Sequence, residues 1–265
     1  MRKDLDAIRC YWSGQAELHG TGAAASWSDV EAVELEIRTI SRYLKDGMSV
    51  LDVGCANGYS TLRYAMAWDI DAEGFDYIPA MVENANLRLK ELPGSVIRGR
   101  ISFRQGDLLG WQPSGAHYDV VISTRVIINL GTWENQLKAM RACVAALKPG
   151  GLFLLSEATL QGWRKLNAMR REWGLAEIPM PEFNQYLDQE RVVAGLADIA
   201  ELIELSEYSS SYFVGTRVIK PLLARLTDGL VDPAKPEMEI NRWFASLPAA
   251  GDYGTQKLFV FCKRP

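Results

Sequence analysis

The stretch Ser49-Val50-Leu51-Asp52-Val53-Gly54-Cys55-Ala56-Asn57-Gly58-Tyr59 decides the fold. A short apolar run ends at Val53, two glycines follow four residues apart, and a helical pattern begins at once. This order describes a buried strand, a tight turn and a helix N-terminus. At such a turn only glycine leaves room for a ligand to touch bare main chain. The spacing G-x-A-x-G is not the GxGxxG of dinucleotide sites.

Outward from that turn the chain alternates short apolar runs with helical segments, the signature of βαβ units and a parallel sheet. Strands are expected at 49–53, 71–75, 101–105, 118–123 and 151–156, and helices near 58–68, 79–92 and 132–147. Further strands are expected at 200–207 and 257–261. Upstream, Val30 to Tyr43 places Val33, Ile37, Ile40 and Tyr43 near helical spacing, so residues 1–47 are expected to form an N-terminal helical cap. The remainder, 48–265, forms one domain with two departures from the alternation, near 158–188 and 212–254. Trp163, Leu166, Met169 and Trp173 in the first, and Ile219, Leu222, Leu223 and Leu226 in the second, have helical spacing. Both segments are expected to lie over the sheet's carboxyl edge as a helical lid.

The strand ends carry the chemistry. Asp52 closes the first strand, and Asp76 follows Gly58 by 18 residues at the end of the second (GFDYIP), where a carboxylate can accept both hydroxyls of a ribose. Tyr77, Ile78 and Met81 come next, then Gly106-Asp107-Leu108 after the third strand, then Ser123, Thr124 and Arg125 after the fourth. Singly these signals are weak, since a strand-end Asp is often a helix N-cap. Taken in order, VLDVGCANG, GFDYIPAMVENA, GDL and LKPGGLFLLSE over residues 45 to 160 resemble the class I S-adenosylmethionine (SAM)-dependent methyltransferases. Ala56 stands where many members have a second glycine.

That resemblance implies an α/β, Rossmann-like seven-stranded mostly parallel sheet with helices on both faces, in order 3-2-1-4-5-7-6 with the seventh strand antiparallel. It implies SAM as cofactor, seated over Gly54, Cys55, Ala56 and Gly58. Asp52 would face the cofactor's ammonium and Asp76 its ribose. Tyr77, Met81 and Leu108 would flank the adenine, with Asp107 at its amino group and Gly106 beside it. Ser123 and Thr124 would lie under the methionyl tail. The final sixty residues, including GDYGTQKLFVFCKR, are similar to a subgroup from bacterial saccharide and secondary-metabolite gene neighbourhoods. The expected activity is therefore methylation of a small molecule such as a sugar or secondary metabolite. The alternative is a SAM-consuming cyclase, in which the cofactor's own amine attacks to give azetidine-2-carboxylate and methylthioadenosine. A SAM-binding subunit without activity is a third possibility.

Methyl transfer gains most of its rate from holding donor and nucleophile about 3 Å apart in a dry site. A base is needed only if the nucleophile must lose a proton, and the chain has only two histidines, His19 and His117. His117 belongs to the far edge of the sheet, and His19 to an N-terminal segment shared with Tyr11 and Trp12, whose faces suit a sulfonium. Arg125 and Asn129, four apart, fall on one face if helical; Arg125 can clamp a carboxylate and Asn129 can orient a nucleophile. Glu157 ends the fifth strand and is a candidate for polarising an acceptor. Asn184, Tyr186, Ser211, Tyr212 and Arg217 are candidate acceptor contacts within the inserted segments.

Composition bounds the rest. The 29 Lys plus Arg against 33 Asp plus Glu give a net charge of -4 without a basic run, which argues against nucleic acid as a partner. Cys10, Cys55, Cys143 and Cys262 lack metal-ligand spacing, so no metal is expected. The charged start from Arg2 to Asp6 lacks an apolar signal core, and no run approaches the about 18–20 residues of a membrane span. A cytoplasmic protein is the expectation.

Overall fold

The computed structural model describes residues 4–94, 96–227, 230–236 and 238–265. Residues 1–3 of the expected cap, the start of the charged run Arg2 to Asp6 among them, and residues 228, 229 and 237 of the second insertion lie outside them. The chain opens with α1 (Leu5–His19) and α2 (Val30–Ser41). The alternation then runs β1 (Ser49–Val53), α3 (Tyr59–Ala67), β2 (Asp71–Asp76), α4 (Pro79–Glu91), β3 (Ile101–Gln105), β4 (Tyr118–Thr124), α5 (Trp133–Ala146) and β5 (Leu147–Ala158). Next come α6 (Leu160–Glu172), α7 (Gln189–Leu196) and β6 (Ala200–Ser206). The helices α8 (Ser210–Val214), α9 (Lys220–Leu226) and α10 (Glu239–Ser246) follow, before β7 (Gln256–Lys263) closes the sheet.

The seven strands lie in the order β3-β2-β1-β4-β5-β7-β6. All pairs are parallel except β7, which is antiparallel to both β5 and β6. Strands covered on both faces need no polar alternation, which is why SVLDV and YDVVIST read as nearly continuous apolar runs. The fifth strand begins earlier than the expected 151: Leu147 already pairs with Tyr118, so the Pro149-Gly150-Gly151 turn is absorbed into the strand's irregular start.

One face of the sheet packs Met140, Cys143 and Val144 of α5 and Val192 and Leu196 of α7 against Leu51, Val121, Phe153 and Phe259. The opposite face packs Val33, Ile37 and Ile40 of α2 and Tyr64 of α3 against Val50, Ile122, Leu154 and Val260. Thus α2 is a core helix of the sandwich, whereas α1 stands outside both layers. Helical spacing had announced α2 but not its partner.

The two insertions pack on each other. Leu166 and Leu175 from the first meet Tyr212, Phe213, Val218 and Phe244 from the second, with Ala32 of α2 beneath. Trp163 donates its indole N–H to the Ile178 carbonyl at 2.8 Å, while Trp173 is half exposed. Among the described residues no helix is long and apolar enough to cross a membrane.

Candidate active site

The carboxyl ends of β1, β2 and β4 meet at one edge, the crevice where parallel α/β sheets take ligands. Gly54 turns the chain there with φ 71°, and a β-carbon on it would lie 2.2 Å from a Val126 methyl. Ala56 also adopts a left-handed φ of 47°, a conformation glycine takes freely and alanine at a cost of about 1 kcal/mol. Asp76 holds this turn: one carboxylate oxygen accepts the Ala56 N–H at 3.0 Å and the other the Ile78 N–H at 2.9 Å.

These residues line a cavity of about 300 Å³. Gly54, Ala56, Asp76 and Gly106 form its floor, with Tyr77, Ile78, Met81, Asp107 and Leu108 on one side. Thr124, Arg125 and Asn129 close the other end. The roof is α1, which contributes Leu5, Asp6, Ile8, Arg9 and Trp12. The sequence had pointed to Trp12 but not to its neighbours one turn away. Phe75, Leu109, Val126 and Leu130 also line the cavity, apolar residues in or after a strand that carry no mark separating core from cavity wall, and so does Ser26 from the connection between α1 and α2.

Several expected contacts are turned elsewhere. Tyr11 points away from the cavity and stacks on Phe183 at 4.6 Å. Asp52 is buried beneath the turn, where it accepts the Thr61 hydroxyl at 2.5 Å. Burial pushes its carboxyl up to about 6. Cys55 packs with Leu62, Val82 and Phe103 under the loop, and burial raises its thiol well above the usual range. Gly58 is the left-handed N-cap of α3. Ser123 is wholly buried within β4 between Val53 and Leu155.

The acceptor-side expectations need more correction. Glu157 does not face the cavity: it is buried and accepts the N–H groups of Val126 and Ile127 at 2.8 and 2.6 Å, fixing the turn after β4. Burial drives its carboxyl up to about 8, against those backbone donors and Arg125. Tyr186 lies in a separate cleft with Trp133, Gln136 and Arg191. Tyr212 is buried in the helical lobe and donates to Asp29, which Arg217 also pairs. Ser211 donates to the Pro248 carbonyl. His117 is exposed, and His19 ends α1 without lining the cavity.

Arg125 and Asn129 do reach the cavity, though not from one helical face. Arg125 has φ 59°, and Asn129 folds back through a short helical turn to donate to the Arg125 carbonyl at 2.7 Å. The Asn129 amide oxygen accepts from Asn184 at 2.9 Å. The Arg125 guanidinium pairs with Glu36 of α2, which is buried and also accepts the Ser156 hydroxyl at 2.5 Å and the Tyr208 hydroxyl at 3.2 Å. The partner of Arg125 is thus a core acid, unsuspected because Glu36 sits in an ordinary helical pattern.

The cavity matches the chemistry of a nucleoside with an amino-acid tail: an acid at a strand end for hydroxyls, apolar walls for a base, and small residues where main chain meets ligand. Burial pushes Asp76 up to about 6, partly offset by the Ile78 and Ala56 N–H groups. A carboxylate accepts two hydroxyls; a carboxylic acid does not. Affinity for S-adenosylhomocysteine should therefore be weakest near pH 5, rise through pH 6 and level off above about pH 7. Calorimetric titration across that range tests this, and a flat profile contradicts it.

A family profile described as "Methyltransferase domain" matches residues 50–151. The chain is 28% identical over 171 residues to carboxy-S-adenosyl-L-methionine synthase of Desulfotalea psychrophila, covering 60% of this chain and 66% of that protein. It is 30% identical over 145 residues to protein-L-isoaspartate O-methyltransferase of Triticum aestivum, covering 53% of this chain and 58% of that one. The chain thus spans less than two thirds of the length of either relative. Among solved structures, the N-methyltransferase NodS of Bradyrhizobium japonicum bound to S-adenosylhomocysteine aligns with a TM-score of 0.52 at 16% identity, over 89% of this chain and 88% of that one. Geranyl diphosphate C-methyltransferase of Streptomyces coelicolor aligns with a TM-score of 0.55 at 14% identity, over 89% of this chain and 80% of that one. At such identities these neighbours speak for the fold alone. With the strand order and the glycine turn, residues 50–151 match a methyltransferase domain, and the chain has the fold of the class I SAM-dependent methyltransferases.

Proposed function

We infer that this protein transfers the methyl group of SAM to a small molecule, a sugar or secondary metabolite. The observation that supports this reading is the cavity itself, lined by Asp76 at the end of β2, by Thr124, Arg125 and Asn129 after β4, and by α1. In that arrangement Asp76 would hold the ribose, Tyr77, Met81 and Leu108 the adenine, and Gly54 and Thr124 the tail. Bound SAM supplies a methyl group on a positively charged sulfur. A roof formed by Leu5, Ile8 and Trp12 excludes water and favours an acceptor small enough to pass it. Neither histidine lines the cavity, so its residues act by orientation and desolvation more than by proton removal.

Incubation of the purified protein with methyl-labelled SAM and panels of sugars and hydroxylated or aminated metabolites is the test. Label should pass to an acceptor only when one is added. Methylthioadenosine accumulating from SAM alone, with no acceptor present, would replace this reading by intramolecular cyclisation.

A further inference from the structure

Helix α1 is held weakly for an element that roofs a cavity. Only Ile8 and Ala16 of its fifteen residues are buried. Among the described residues, the Asn84 amide donates to the Ala16 carbonyl at 3.3 Å and joins the body of the helix to the domain. Its small apolar contact is made by Trp12 and Ala16 with Ala25, Ile78 and Met81. Leu5, Ile8 and Trp12 line the same cavity as Gly54, Ala56 and Asp76, so the helix borders the space a ligand of nucleoside size would occupy.

The connection after α1 is built to turn. Gly20 has φ 50° and ψ -124°, a combination an L-residue rarely takes, and the Gly22 N–H closes a tight turn on the His19 carbonyl at 2.7 Å. The Asn57 side chain fastens this turn to the glycine turn after β1. The Asn57 amide donates to the Gly20 carbonyl at 2.9 Å and to the Gly22 carbonyl at 2.8 Å. Asn57 is 1% exposed and lies inside the glycine turn, directly after cavity-lining Ala56. At the other end of the roof, the Tyr11 ring stacks on Phe183, the neighbour of Asn184.

We propose that Asn57 is a positioning residue that latches α1 over the bound cofactor, so that seating the ligand on the glycine turn and closing its roof are one event. The chain of contact is short. A ligand lying on Gly54 and Ala56 fixes the conformation of the turn, the turn fixes the Asn57 amide, and that amide fixes the two carbonyls at the pivot of α1. Closure also sets Tyr11 on Phe183, beside the Asn184–Asn129 bond, so the acceptor-side wall is completed only once the roof is down. The proposal rests on the SAM-site reading above.

Hydrogen–deuterium exchange with S-adenosylhomocysteine as probe separates the two. In the wild-type protein the ligand should slow amide exchange across residues 5–19 as well as in β1 and α3. In Asn57→Ala, protection of β1 and α3 should persist while α1 exchanges as in the free protein, and ligand dissociation should be about tenfold faster. Equal protection of α1 in the variant, or an α1 indifferent to ligand in the wild type, overturns the latch while leaving the SAM site intact. A wild-type protein that takes up none of the ligand overturns both. Should Asn57→Ala not fold, Tyr11→Ala, at a 42% exposed ring, loosens the other fastening. It should also release α1 protection and speed dissociation, and unchanged exchange there counts against the proposal.

Discussion

Asp76→Ala is expected to raise the dissociation constant for S-adenosylhomocysteine by about 100-fold or more. A carboxylate accepting two ribose hydroxyls makes two charge-assisted bonds, each worth about 1.5–3 kcal/mol, and every 1.4 kcal/mol is about tenfold in affinity. The substitution also releases the Ala56 N–H that Asp76 holds, so Ala56 loses the partner that keeps it at positive φ. Asp76→Asn divides these contributions. It loses the charge and keeps one acceptor oxygen, enough for the Ala56 or the Ile78 N–H but not for both, so its melting temperature should fall and its affinity drop by about tenfold. The pH rise in affinity through 6 should vanish in both variants. Calorimetric binding within a few-fold of wild type for Asp76→Ala would mean the ribose is held elsewhere.

Glu36→Ala should lower stability sharply. It strands the buried Arg125 guanidinium and removes the acceptor for Ser156 and Tyr208. Breaking one partner of a buried ion pair costs about 3–5 kcal/mol, which in a chain of this size lowers the melting temperature by on the order of 10 °C. Because Arg125 lines the cavity, ligand affinity should fall as well. The double variant Glu36→Leu with Arg125→Leu discriminates the causes. Replacing both charges by apolar groups should restore much of the stability, whereas affinity should stay low. Thermal unfolding of the three proteins measures this, and a loss below about 1 kcal/mol for Glu36→Ala would show the pair to be dispensable.

The glycine turn, Asp76 and the order of strands were legible because each is written in neighbouring residues. The 18-residue step from Gly58 to Asp76 is one helix and one strand, and such units carry their own periodicity. Glu157 shows where this stops. Its place at a strand end was evident, but whether its carboxylate faced the cavity or the backbone behind it depended on the turn of Arg125, whose positive φ no residue type announces. Tyr186 and Tyr212 went to a separate cleft and to the helical lobe because the insertions pack on each other and on α2.

By itself, then, the sequence determined the doubly covered, mostly parallel sheet, its glycine turn and the acid at the end of the second strand, since propensity, burial pattern and strand-end spacing act over a few residues. Only the tertiary structure decided the roof and the far wall. The Glu36–Arg125 pair spans 89 positions, the Asn184–Asn129 bond 55, and the Asn57 bonds to the pivot of α1 37 and 35. Contacts at such separations arise from how helices settle on a finished sheet, and no local pattern encodes which polar side chain will meet which.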